Sequence, residues 1–347
     1  MTVANKPSTA SRLLLISVPR TASNLLLKII NVPAQSTLLT NEKGGYFFYP
    51  PFTKAARDGR LSKPLDDWTE AEKVEIRDAL QQAIDGLEQY SARAEQEGKM
   101  LFVKEHAFWL TNPAAFEDVA DHLSAFQLQF PSVYGPSQTF SPLNRTVMPD
   151  EYLRTWRLAF IVRHPALAFP SLYRAMNKIM QTGFMQTEDT TGTLTTNLTL
   201  RWTRMLYDWS LEQGEALGVP LILDAHDVIH NPKVVLRFCE QTGLDPSVVQ
   251  FNWEAKPQAQ GSEASGPASQ PMNEQDMMEK ATSSIMLSTL NSSTGVIKDK
   301  TPATVDLATE IGVWKEEFGD EVAVTLEKAV RDAMPDYEYL RSRRVTA

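Results

Sequence analysis

Four short apolar runs, Leu13 to Val18, Met100 to Val103, Leu158 to Val162 and Pro220 to Leu223, interrupt an otherwise amphipathic chain. Continuous apolar runs of this length fit strands buried on both faces, because side chains turned to either side then meet apolar surface. Between the runs the period changes to helical spacing. Ser23 to Asn31 follows the first, and Glu70 to Gln96, rich in Ala, Leu, Glu, Gln and Arg, precedes the second with apolar residues near i, i+3, i+4. Further helices are predicted over Pro165 to Met180, Leu198 to Leu217, Pro232 to Gln241 and Val305 to Met334. Short buried strands separated by helices predict an α/β fold, a parallel central sheet with helices on both faces. The chain reads as a single domain over 1–347, with a flexible insertion at 255–275 where Gln, Ser, Gly, Pro and Glu leave little to bury. No repeat at a period of 20 to 50 residues is visible, which argues against a solenoid or propeller.

Composition narrows the class. Lys and Arg number 34 against 43 Asp and Glu, a net charge of −9 over 347 residues, so a general nucleic-acid surface is not expected. Cys239 is the single cysteine and no Cys/His cluster has zinc spacing, which excludes a disulfide framework and a structural zinc site and makes the reducing cytoplasm the default. The run Leu13 to Val18 is too short for a bilayer span or a signal-peptide core, so a soluble protein without membrane contact is expected. Oligomeric state is left open, a homo-oligomer included. The aromatic stretch Gly44 to Phe52 is predicted irregular, either a packed core loop or an apolar substrate wall.

The first strand runs into Val18-Pro19-Arg20-Thr21-Ala22-Ser23-Asn24 and then a helix beginning Leu25-Leu26-Leu27. A strand-to-helix turn of small hydroxyl and amide residues presents unpaired backbone N–H groups and a partial positive charge, which suit phosphate or sulfate. The plainer alternative is that Ser23 only caps a core helix. Gly-x4-Gly-Lys-Ser/Thr is absent and no glycine occurs before Glu42, so an ATPase or kinase is not supported. A second site reinforces the first. The strand Leu158 to Val162 delivers Arg163-His164-Pro165, followed by Ser171 and Arg174 on a helix that Pro165 is suited to open.

These segments resemble the PAPS-dependent sulfotransferase family. Pro19 to Asn24 is similar to the family's Pro-Lys/Arg-Ser/Thr-Gly/Ala-Ser/Thr-Ser/Thr loop, which holds the 5′-phosphosulfate. Arg163, Pro165 and Ser171 match its Arg-x-Pro with a Ser eight residues beyond the Arg, the pair that binds the 3′-phosphate. Val103-Lys104-Glu105-His106 is similar to the Lys-Thr-His segment whose His is the catalytic base of cytosolic members. Ile222 to Pro232, continuing through Leu236 to Gly243-Leu244, resembles the strand, Tyr-Glu-Asp-Leu turn and following helix, and Trp314 through Phe318 to Tyr337-Glu338-Tyr339-Leu340 resembles the C-terminal helix. Two features depart from the pattern. Ala225 and His226 stand where a Tyr and a Glu are usual, and the C-terminal Arg-Lys-Gly clasp has no clear equivalent, Lys298 and Lys300 being the nearest basic residues.

The resemblance implies a P-loop-like sulfotransferase fold and transfer of a sulfuryl group from PAPS to a hydroxyl of a small apolar or aromatic acceptor, as in secondary metabolism. The product would be 3′,5′-bisphosphoadenosine, and no metal is implied. His106 is the expected general base, with Glu105 its rival; strand alternation lets only one of them face the site. Arg20 and Lys104 would stabilise the leaving oxygen and the transferring group. Arg20, Thr21, Ala22, Ser23, Asn24 and Leu25 would hold the 5′ end, and Arg163 and Ser171, with Lys298 or Lys300, the remainder. His122, His164, His226 and His230 read as structural or surface residues, and Trp202, Tyr207 and Trp209 as core packing. Two other outcomes stay open: net elimination or cyclisation, with or without cofactor, and a non-catalytic nucleotide-binding protein.

Overall fold

The computed structural model describes residues 12–117, 126–183, 187–214, 218–254, 274–299 and 301–347. Five strands, β1 (Arg12–Ser17), β2 (Leu38–Leu39), β3 (Met100–His106), β4 (Arg157–Val162) and β5 (Leu221–Asp224), form one sheet in the order β2-β3-β1-β4-β5. Every neighbouring pair is parallel. The first helices are α1 (Ser23–Ile29), α2 (Tyr49–Ala56), α3 (Glu70–Gln96), α4 (Ala107–Leu110), α5 (Asp150–Leu153), α6 (Pro165–Met180) and α7 (Thr187–Asn197). They are followed by α8 (Arg201–Glu212), α9 (Ala225–His230), α10 (Pro232–Thr242), α11 (Glu274–Met286), α12 (Ser288–Ser292), α13 (Leu307–Phe318) and α14 (Asp320–Ser342).

The two faces of the sheet are separate cores, as alternation requires. Leu14, Ile16, Leu101, Val103, Phe160 and Ile222 turn to one side, where Ile76, Leu80, Ile84 and Leu87 of α3 and Leu326 and Val330 of α14 meet them. Leu13, Leu15, Phe102, Ile161 and Leu223 turn to the other, against Leu26 and Ile29 of α1 and Val235 and Phe238 of α10. This is the α/β architecture the apolar runs predict, with helices on both faces.

Beyond the predicted elements the structure adds the short edge strand β2 and several short helices, α7 and α11 among them; the other differences lie at boundaries. β3 continues past its apolar run through Lys104, Glu105 and His106, because those residues still pair with Leu15, Ile16 and Ser17 of β1. The predicted helix Val305 to Met334 is two helices, broken at Gly319 (φ 87°) and then continuing past Pro335 to Ser342. The predicted irregular stretch Gly44 to Phe52 becomes helical at Tyr49, where prolines occupy the first turn. Of the expected insertion at 255–275, residues 255–273 lie outside the described residues, and Glu274 already opens α11. No helix among the described residues is long and apolar enough to cross a membrane.

Candidate active site

Parallel pairing carries Ser17, His106 and Val162 to the same end of the sheet, so the turns that follow β1, β3 and β4 meet there. The β1–α1 turn is strained. Arg20 (φ 68°) and Ala22 (φ 65°) both take left-handed backbone without being glycine, the kind of conformation found where function fixes the chain. Thr21 Oγ1 donates to the Val18 carbonyl (2.9 Å) and closes the turn. Ala22 is the N-cap of α1 and provides no side-chain acceptor, and no acid lies in the first turn. Its N–H groups therefore open onto the cavity that Ala22, Ser23, Asn24 and Leu25 help to line.

That cavity, about 540 Å³, is where the two predicted anion motifs meet. Arg20 Nε donates to Ser171 Oγ (3.0 Å), and Arg163 Nη1 donates to the Arg20 carbonyl (3.1 Å) while its Nη2 reaches Thr301 Oγ1 (3.4 Å). Burial lowers the pKa of Arg20. Burial, reinforced by the neighbouring Arg20 charge, brings Arg163 down to about 10. Two guanidinium groups held together in this way make a site that gains from an anion.

Asn24 links the turn to β3 by accepting a hydrogen bond from Lys104 Nζ. Lys104 is fully buried, and its ammonium lies 4.1 Å from the centre of the Tyr46 ring. Among the described residues neither Arg20 nor Lys104 is within ion-pairing distance of a carboxylate. Burial lowers Lys104 to about 7, opposed by the Glu105 charge. The same burial raises Glu105 to about 8, opposed by N–H donors from Phe47 and Phe48 and by Lys104.

His106 ends β3 beside Ser17. Ser17 Oγ donates to the Glu105 carbonyl (3.2 Å) and lies 2.8 Å from His106 Nδ1. A hydroxyl has one proton. Given to the carbonyl, it leaves the oxygen to accept Nδ1–H, and this network assigns the tautomer with Nε2 unprotonated. Nε2 lies 3.2 Å from the Tyr46 hydroxyl, and Trp109 packs edge-on to the ring at 4.4 Å. Burial first, and Lys104 second, hold His106 well below the usual imidazole pKa, so it is neutral at pH 7.

A second cavity of about 520 Å³ opens from His106, walled by Tyr46, Tyr49, Phe52, Trp109 and Met176. The two cavities share Arg20, Ser23, Asn24, Met286 and Leu287, so the β1–α1 turn lies between them.

No protein-family profile matches the chain. "Sulfotransferase ppzF" of Metarhizium rileyi (strain RCEF 4871) is 35% identical over 351 residues, covering 98% of this chain and 98% of its own. The "Sulfotransferase ppzF" of Metarhizium majus (strain ARSEF 297) is 34% identical over 349 residues, covering 96% of each. The chain belongs to the sulfotransferase family. A solved structure, "Sulfotransferase Domain from the Synechococcus PCC 7002 Olefin Synthase", aligns with 70% of this chain and 78% of its own at 14% identity and a TM-score of 0.31, too distant a likeness to argue from.

Of the residues singled out in this sulfotransferase, Arg20, Ala22, Ser23, Asn24, Leu25, Arg163 and Ser171 line one cavity, and His106 opens on the other. Lys104 reaches the turn through Asn24, and Thr21 is buried beneath it. Glu105 points at the backbone of Phe47 and Phe48 instead. Lys298 is exposed outside both cavities, and Lys300 lies outside the described residues. His164 caps α6 and accepts from the Ala166 N–H (3.2 Å), while His226 and His230 stack on each other and both meet the Thr301 carbonyl.

Ser17 and Thr301 are not among the residues the sequence points to: Ser17 could have been found from the register of β1 against β3, and Thr301 arrives on an irregular segment that no periodicity marks. Of the stretch Gly44 to Phe52, expected as core loop or substrate wall, Tyr46, Tyr49 and Phe52 line the second cavity. Gly45 sets the Tyr46 loop in place. It has φ 94°, its carbonyl accepts from Lys104 N (3.1 Å), and an added Cβ would lie 2.8 Å from that nitrogen. Gly45→Ala is therefore expected to destabilise the fold by about 1–3 kcal/mol and to lower turnover. Denaturant unfolding alongside initial rates checks both, and unchanged stability would contradict the close approach.

Proposed function

We propose that this sulfotransferase moves a sulfuryl group from PAPS to a hydroxyl of a small apolar or aromatic acceptor, with His106 as general base. The observation that carries the proposal is the meeting of Arg20, Arg163 and Ser171 in one cavity, joined through the β1–α1 turn to a second cavity in which aromatic side chains surround His106. The residues fit the donor. Two adjacent arginines, first-turn N–H groups and a buried lysine suit a nucleotide phosphorylated at both ends. Bound there, the donor supplies an activated sulfuryl group on its 5′-phosphate.

Each residue then has a task. Arg163 and Ser171 hold the 3′-phosphate, and the N–H groups of Ser23 to Leu25 with Arg20 hold the 5′ end. Lys104 brings positive charge to the side where negative charge grows on the leaving oxygen, in a site where burial makes that charge count for more than in water. His106 Nε2 takes the acceptor's proton, and Ser17, by accepting from Nδ1, keeps Nε2 free to do so. Glu105 holds the Tyr46 loop, which leaves the base role to His106.

The test is incubation of the purified protein with sulfur-35 PAPS and a panel of phenols and alcohols. Label in the organic product is expected; bisphosphoadenosine release with unlabelled, dehydrated product would instead indicate elimination.

Lys104 adds a proton-linked expectation. Free, it is half deprotonated at about pH 7; an adjacent anion raises its pKa. Binding of 3′,5′-bisphosphoadenosine at pH 8 should therefore take up as much as about one proton. Calorimetry in Tris and in HEPES measures this, and proton release would contradict it.

A further inference from the structure

We propose that Tyr46 is a built-in stand-in for the acceptor: its phenol oxygen marks the acceptor oxygen's place and keeps water from His106 until a phenolic acceptor displaces it. The proposal rests on reading His106 as the base and PAPS as the donor.

The loop carrying Tyr46 is fixed on both sides. Asn41 donates to the Tyr46 carbonyl (2.7 Å) and accepts from Gly45 N (2.8 Å), and Gly45 bonds to the backbone of Lys104. On the far side, Glu105 holds the Phe47 and Phe48 N–H groups. The phenol is thereby directed at three groups of the site at once. Its oxygen lies 3.2 Å from His106 Nε2, Ser23 of the β1–α1 turn is its hydrogen-bond neighbour, and its ring carries the Lys104 ammonium. A hydroxyl between the base and the turn that faces the donor is where an acceptor must lie, since a general base has to come within about 2.6–3.2 Å of the oxygen it deprotonates.

Tyr46 makes a poor nucleophile. Burial, and then the Glu105 charge, raise its pKa, so the phenol keeps its proton. Displacing it requires a molecule that replaces what it provides: a hydroxyl for Nε2 and a ring to sit beside Trp109, now 4.9 Å from the Tyr46 ring. An aryl hydroxyl does both. The titratable groups around His106 are Lys104 and Glu105 on its own strand and, lining the same cavity, Glu42, Lys43 and Tyr46 on the loop, Tyr49 on α2 with Arg57 at its end, Arg20 on the β1–α1 turn and Glu279 of α11.

With Tyr46→Phe, water can take the hydroxyl's place: its oxygen bonds to sulfur, the bond from sulfur to the 5′-phosphate oxygen breaks, and a proton passes to His106 and on to solvent. Sulfate and 3′,5′-bisphosphoadenosine leave. Release of bisphosphoadenosine from PAPS without acceptor should be about tenfold faster in Tyr46→Phe than in wild type, the size of effect one hydrogen bond carries. The gain should vanish in Tyr46→Phe/His106→Ala. A second variant tests position. Tyr46→Ala supplied with 4-methylphenol should form 4-methylphenyl sulfate faster than wild type does, and 4-methylcyclohexanol should not be sulfated. Wild-type release by Tyr46→Phe, or no 4-methylphenyl sulfate from Tyr46→Ala, in protein that still binds bisphosphoadenosine, overturns the proposal while leaving the donor site standing. Failure of wild type to bind bisphosphoadenosine rejects the donor reading itself.

Discussion

Replacing His106 by alanine is expected to lower kcat by about a hundredfold to ten-thousandfold, the range seen when a general base is lost. Binding of 3′,5′-bisphosphoadenosine should stay within about an order of magnitude, because His106 opens on the aromatic cavity rather than on the one lined by Arg163 and Ser171. The pH profile carries a separate signature. Burial and Lys104 hold the imidazole well below 6.5, so a base at this position is unprotonated, and active, through neutrality. The acid limb of kcat/KM should therefore lie below pH 6.5, and turnover is lost only as pH falls through the lowered pKa. Undiminished turnover in the variant, or an acid limb above 6.5 in wild type, would contradict the assignment.

Arg163→Ala should weaken 3′,5′-bisphosphoadenosine by about ten- to a hundredfold, the magnitude of a lost charge-assisted hydrogen bond. Adenosine 5′-phosphate, which lacks the 3′-phosphate, should lose much less. Some loss is expected for both, since Arg163 also holds the Arg20 carbonyl and with it the strained turn. Isothermal titration of the two nucleotides against wild type and variant separates these effects, and equal losses would reject the 3′-phosphate contact.

Four of the five strands were legible because they are buried on both faces, whereas the two-residue edge strand β2 was not, and α3 and α6 were legible because long amphipathic patterns carry their own end signals: Thr69 with Glu72 forms a capping box, and Pro165 opens α6. The charged end of β3 was not legible as strand. Lys104 and Glu105 are fully buried, which no propensity anticipates, and only pairing with β1 keeps them extended. The break at Gly319 was missed because the apolar period runs through it. In the site, the Arg20, Arg163 and Ser171 group could be read from motifs that sit next to strands. The stretch Gly44 to Phe52 could be read as a candidate wall, but the place of Tyr46 beside His106 could not, because it follows from Gly45 against the Lys104 backbone and Glu105 against the Phe47 and Phe48 amides, contacts between segments about sixty residues apart. The resemblance pointed to Lys298 by its charge, but the cavity beside it is reached by Ile297 and Thr301.

The central claim is that the cavity between the β1–α1 turn and α6 holds the doubly phosphorylated nucleotide. Isothermal titration of the purified wild-type protein with 3′,5′-bisphosphoadenosine, beside adenosine 5′-phosphate at the same pH and salt, tests it most directly. Saturable one-to-one binding of the bisphosphate, at least about tenfold tighter than the monophosphate, is the predicted result. No binding, or equal affinity for the two, would contradict it.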